Sequence, residues 1–158
     1  MRDDLCLLAR AYGEWDGFQA GEFLNLYRQV SFQDERLHVM RLSGDQLTCV
    51  ESLADECSEG RIGPMIITDL YNNSLRRQMH GRTDDALSRL YRALELMAQW
   101  VLLRDFEIDT NDVETRRIPL RDRVAFEALR SLDDGLVRIG LRKAFELLYI
   151  LEARVGIK

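Results

Sequence analysis

The chain of 158 residues is poor in several residue types on which function often rests. It has three cysteines, two histidines, two prolines and two lysines. Cys6, Cys49 and Cys57 are odd in number and widely spaced, with no C-x-x-C pair, so they are read as buried free thiols and not as a disulfide framework. With only His38 and His80 beside them, the soft ligands are too few and too scattered for a zinc site, and no metal is expected. A Ser-His-Asp or Cys-His enzyme also has little to draw on. No G-x-G-x-x-G or G-x-x-x-x-G-K motif is present, which excludes a phosphate-loop nucleotide site, and no cofactor is expected. Uninterrupted apolar runs are only a few residues long, so no membrane span is expected. The acidic start Met1-Arg2-Asp3-Asp4 does not suit a signal peptide, and a cytoplasmic protein is expected.

The composition, 46% apolar and 31% charged, is that of a globular chain large enough for one packed core. Its charge is uneven. Residues 1–60 hold five arginines against twelve acids, and residues 61–158 hold seventeen bases against fifteen acids. An acidic first part repels phosphate, so any RNA contact belongs to the second and is expected to be weak; no DNA contact is expected.

The apolar spacing predicts an all-α bundle of about six to eight helices built from antiparallel hairpins, in a single domain over 1–158. A first hairpin spans 3–30, with Leu5, Leu8 and Tyr12 before Gly17 and Phe23, Leu24, Tyr27 and Val30 after it. Middle helices fill 32–60, broken near Ser43-Gly44-Asp45. The central hairpin spans 64–104, with Pro64 at a first helical position and Gly81 at the turn. Its second helix carries Ala86, Leu87, Leu90, Tyr91, Leu94, Met97, Ala98, Val101 and Leu102 at three- and four-residue steps, with Thr83 as the expected N-cap and an Asp85-Arg89 pair on the wet side. C-terminal helices fill 110–155. One begins at Pro119 with Leu120, Val124 and Leu129 as its apolar face, and the last carries Leu141, Phe145, Leu148, Tyr149 and Leu151. Asp109-Thr110-Asn111-Asp112 reads as a turn and helix start, and only 136–140 suits a strand. Sliding the chain by 64 residues sets Gly17 on Gly81 and Leu26-Tyr27-Arg28 on Leu90-Tyr91-Arg92, which is read as convergent helix-pair packing.

Two basic clusters stand out: Arg76, Arg77, His80 and Arg82 around the central turn, and Arg116, Arg117, Arg121 and Arg123 beyond it. Each suits phosphate. The plainer reading is a solvated face or an ion-pair network with Asp84, Asp85, Glu114 and Asp122. His80 reads first as a helix-terminal residue favoured by the dipole. The first cluster is kept as the candidate nucleic-acid contact, and no catalytic residue is assigned.

The segment Gly81-Arg82-Thr83-Asp84-Asp85-Ala86-Leu87-Ser88-Arg89-Leu90-Tyr91-Arg92-Ala93-Leu94-Glu95, followed by Ile108-Asp109-Thr110-Asn111-Asp112-Val113, resembles the helical C-terminal part of the CRISPR-associated CARF/HEPN ribonucleases of type III systems. Ala11-Tyr12, Trp15-Asp16 and Ala144-Phe145-Glu146-Leu147-Leu148 fit the same pattern, so the likeness covers most of 5–150. The resemblance implies antiviral defence, a cyclic-oligoadenylate sensor before the helical part, and a metal-independent ribonuclease site where an Arg and a His with four to six residues between them converge from two subunits. Here Leu75, Ser74 and Asn73 precede His80 at those spacings, and Gln33, Phe32 and Ser31 precede His38. The expectation is therefore a truncated or fragmentary HEPN-related module, without sensor or catalytic motif, that packs and homodimerises; Trp15, Phe18, Trp100 or Phe106 are its candidate interface residues, with Trp100 more readily core. The alternatives are a helical-repeat-like protein-interaction module, and an RNA-binding or RNA-cleaving domain with an atypical Arg76/His80 site.

Overall fold

The computed structural model describes residues 2–155. Its helices are α1 (Arg2–Asp16), α2 (Ala20–Tyr27), α3 (Glu35–His38), α4 (Gly44–Ser58), α5 (Pro64–Met79), α6 (Thr83–Phe106), α7 (Leu120–Glu127) and α8 (Leu141–Val155), with a 3-10 turn at Thr115–Arg117. Among the described residues there is no strand, only an isolated bridge between Arg130 and Val137, so the chain is an all-α bundle.

Two cores flank the α5–α6 hairpin. The first gathers Leu8, Ala11, Phe23, Leu26, Val50 and Leu53 from α1, α2 and α4. The second gathers Ala98 and Leu102 of α6, Phe126 of α7, and Ala144, Leu147 and Leu151 of α8, with Ile108, Val113, Ile118, Val137 and Ile139 from the irregular stretches between. Leu70, Ala93 and Leu96 tie the hairpin together. The α4 capping box pairs Ser43 with Gln46 at the break foreseen near Ser43.

The N-terminus of α5 is capped from a distance. Gly63 has no side chain to offer, and Glu56 of α4, buried, accepts from Ile66 N at 3.0 Å and Met65 N at 3.4 Å. A carboxylate there satisfies orphan donors and meets the positive end of the dipole.

Several expectations change. All three cysteines are exposed, and none joins a core cluster; the buried apolar residues of α4 are Val50 and Leu53. Thr83 lies inside α6, and the cap position is Arg82, with no side-chain cap bond. Pro119 occupies the cap position of α7, one residue before the helix. Leu120 and Val124 are 76% and 77% exposed, and Phe126 is the residue of α7 that fills the core. Asp109 makes a turn, accepting from Asn111 N at 2.8 Å, but no helix begins there. The residues matched by the 64-residue offset sit in different surroundings: Leu26 and Tyr27 are buried, whereas Leu90 is half-buried and Tyr91 exposed.

Candidate functional site

The hairpin turn builds the site. Arg76 and Arg77 end α5, His80 is its C-cap, Gly81 takes φ +73° to reverse the chain, and Arg82 leads into α6. The last turn of α1 lies alongside: Asn73 Nδ2 donates to Asp16 Oδ1 at 3.1 Å, and Trp15 Nε1 to Asp69 Oδ1 at 2.9 Å. A hollow of about 520 Å³ results, lined by all four residues of the first basic cluster together with Tyr12, Trp15 and Asp16.

The cations there are not equivalent. Arg77, whose side chain is 15% exposed, is held between Asp16 and Asp85, the latter at 3.3 Å. Asp85 also meets Arg82 at 3.3 Å and Arg89 at 2.7 Å. The hydrogen bond from Arg89 is the main reason its carboxyl titrates below the usual range. Arg76 stands 3.9 Å from both Asp16 and Asp69, beyond hydrogen-bond distance. Asp69 is buried, and burial pushes its carboxyl up, against the pull of the Trp15 hydrogen bond. His80 Nδ1 donates to the Arg76 carbonyl at 2.6 Å.

Asp16 and Asp69, whose carboxylates help organise this hollow, were not singled out from the sequence. They meet Arg77 and Trp15 across 61 and 54 residues, a separation that no local spacing signals. Their one trace is the Trp15-Asp16 pair in a helix whose other residues fit an ordinary core face.

The second basic cluster is dispersed. Arg116 and Arg117 pair with Glu114, Arg117 also with Glu107, and Arg121 with Asp122. Arg123 donates to the carbonyls of Arg116 and Ile118. His38 Nε2 donates to the Phe32 carbonyl at 2.7 Å and is remote in sequence from every arginine of the hollow. No group of three or more His, Cys, Asp or Glu side chains placed to hold a metal occurs among the described residues. No helix among them is long and apolar enough to cross a membrane.

The surface holds a second feature. Leu87, Tyr91 and Leu94 of α6 are 64%, 54% and 39% exposed, yet they continue the stripe that includes Ala98 and Leu102, both fully buried against the α8 core. On α5, Asn73 and Arg77 turn to α1, while Tyr71 and Leu75, roughly half a turn round the helix, are exposed. Trp15, Phe18, Trp100 and Phe106 do not form such a face. All four are half-buried, Trp15 against Phe23 and Trp100 beneath Arg104 at 4.0 Å.

Compared with known proteins, the chain matches no curated sequence and no solved structure. A sequence model described as the Csm6 HEPN domain matches residues 55–158, which hold α5 to α8, the hairpin turn and its basic cluster. That match covers about two thirds of the chain, and with the all-α bundle it shows that the protein belongs to the CRISPR-associated Csm6 HEPN domain family.

Proposed function

We propose that this chain is the packing and homodimerisation module of a CRISPR-associated antiviral-defence protein, and that it does not cut RNA through an Arg-to-His pair of its own. One observation carries the reading: the apolar stripe of α6 is covered by α8 over its C-terminal half, while Leu87, Tyr91 and Leu94 keep 64%, 54% and 39% of their surface exposed. Soluble chains seldom leave a contiguous apolar stripe wet unless a partner covers it. A second copy, related by a two-fold axis, would set the same stripe against itself and bury both at once. HEPN membership supports this, since sites of that class form between subunits. Neither histidine has an arginine at the required spacing within the 158 residues. Contact with RNA through the second half is expected to be weak, because Arg116, Arg117 and Arg121 are each engaged by a neighbouring carboxylate.

Sedimentation equilibrium tests the reading. The chain is expected at about twice its 18.4 kDa, and Leu87→Lys with Leu94→Lys is expected to return it to monomer mass without loss of helicity. A wild-type mass that stays monomeric as concentration rises would overturn it. So would metal-independent RNA cleavage that disappears in His80→Ala.

A further inference from the structure

We propose that the hollow at the α5–α6 turn binds a nucleoside monophosphate group, with the phosphate on Arg76, Arg82 and His80 and the base against the Tyr12 and Trp15 rings. At about 520 Å³ the space falls in the range of small-molecule sites.

The charges are sorted in a way that suits an anion. Arg77 is spent between Asp16 and Asp85 and holds the walls together. Asp85 is divided among Arg77, Arg82 and Arg89, so none of the three is fully neutralised by it. Arg76 makes no side-chain hydrogen bond among the described residues; its two nearest carboxylates stand at 3.9 Å. Its planar fork of five donors is therefore open to a phosphate. Four guanidinium groups face three carboxylates across this corner, a local excess of positive charge in a chain of net charge −5. Because His80 commits Nδ1 to the Arg76 carbonyl, its ring is fixed and Nε2 is the nitrogen left for a ligand.

The aromatic wall narrows the class. Tyr12 and Trp15 lie nearly parallel, 21° between planes and 6.1 Å between centroids. Their polar ends are engaged, Tyr12 Oη donating to the Met40 carbonyl at 2.9 Å and Trp15 Nε1 to Asp69. What remains for a ligand is flat apolar surface beside guanidinium donors, which suits a base carried by its phosphate. A bare oxyanion would use only the arginines.

The same chemistry is offered by a free mononucleotide and by the phosphorylated end of an oligonucleotide. Calorimetry on the full chain with adenosine monophosphate, a terminally phosphorylated trinucleotide, adenosine and inorganic phosphate separates them. Saturable binding of a phosphorylated ligand is expected, with adenosine and inorganic phosphate at least about tenfold weaker, and Arg76→Ala or Arg82→Ala is expected to weaken it about tenfold. Both side chains are substantially exposed, at 42% and 58%, so the variants should melt like the parent, and Arg121→Ala should bind like it. Tighter binding of the mononucleotide assigns a free ligand; tighter binding of the trinucleotide assigns a strand end. The proposal is overturned if neither binds, if inorganic phosphate binds as well as the mononucleotide, or if both arginine variants bind within about twofold of the parent.

Discussion

The α5 cap offers a test in which two substitutions should partly cancel. Glu56, 7% exposed, supplies from α4 the acceptor that Gly63 lacks, with one good bond to Ile66 N and a longer one to Met65 N. A bond from a backbone donor to a charged acceptor contributes about 1.5–3 kcal/mol, and the dipole adds up to about 1 more. Glu56→Ala is therefore expected to cost about 2–4 kcal/mol, or roughly 10 °C in melting temperature for a chain of this size. Gly63 has ordinary extended backbone, φ −144°, so alanine is not excluded there by conformation. Its Cβ would instead collide with the Glu56 carboxylate, and Gly63→Ala is expected to cost about 1–3 kcal/mol through that overlap. With Glu56 already trimmed, the overlap is gone. The double variant should then lie close to Glu56→Ala alone, far short of the sum. Denaturant titration of the four proteins measures the coupling. Costs that add within about 0.5 kcal/mol would refute the reasoning, since that is how unconnected sites behave.

Two aspartates beside the hollow should respond to pH with opposite signs. The Asp69 carboxyl is raised chiefly by burial, so its ionised form is penalised in the fold; the stability it contributes is present at low pH and lost as pH rises through its folded value. Asp69→Asn keeps an acceptor for Trp15, and its melting temperature relative to the parent should improve between about pH 4 and pH 7; a difference that stays flat in thermal melts would contradict this. Asp85 is lowered, first by its bond from Arg89, so its contribution is present above the usual carboxylate range and lost as pH falls. Asp85→Asn should be costly near neutrality and progressively less so as pH falls below the usual carboxylate range, and a larger deficit in acid would speak against the network.

Much of the fold was legible because it rests on local signals. Pro64 at N1 and Gly81 at positive φ bound α5 where the spacing put it, and Asp85 meets Arg89 at i+4. The misplaced apolar faces share one cause: apolar spacing identifies a helix without saying which neighbour covers which side. Leu120 and Val124 looked like a core face and are exposed, while Phe126 carries the packing of α7. Phe145 and Tyr149 of α8 share the apolar spacing of Leu148 and Leu151, yet they are 39% and 76% exposed. Thr83 failed as a cap because the tight turn through Gly81 leaves Arg82 in that position.

By itself the sequence determined the helical class, the central hairpin and the grouping of Arg76, Arg77, His80 and Arg82 at one turn, since periodicity, capping and turn chemistry act within a few residues of the chain. Only the tertiary structure decided what those groups face. It set α1 beside α5, so that Asp16 engages Arg77 and Tyr12 and Trp15 complete a hollow. It also laid α8 over Ala98 and Leu102 while leaving Leu87, Tyr91 and Leu94 partly exposed. Burial and ion pairing depend on which surfaces meet, and that is settled by the packing of whole helices.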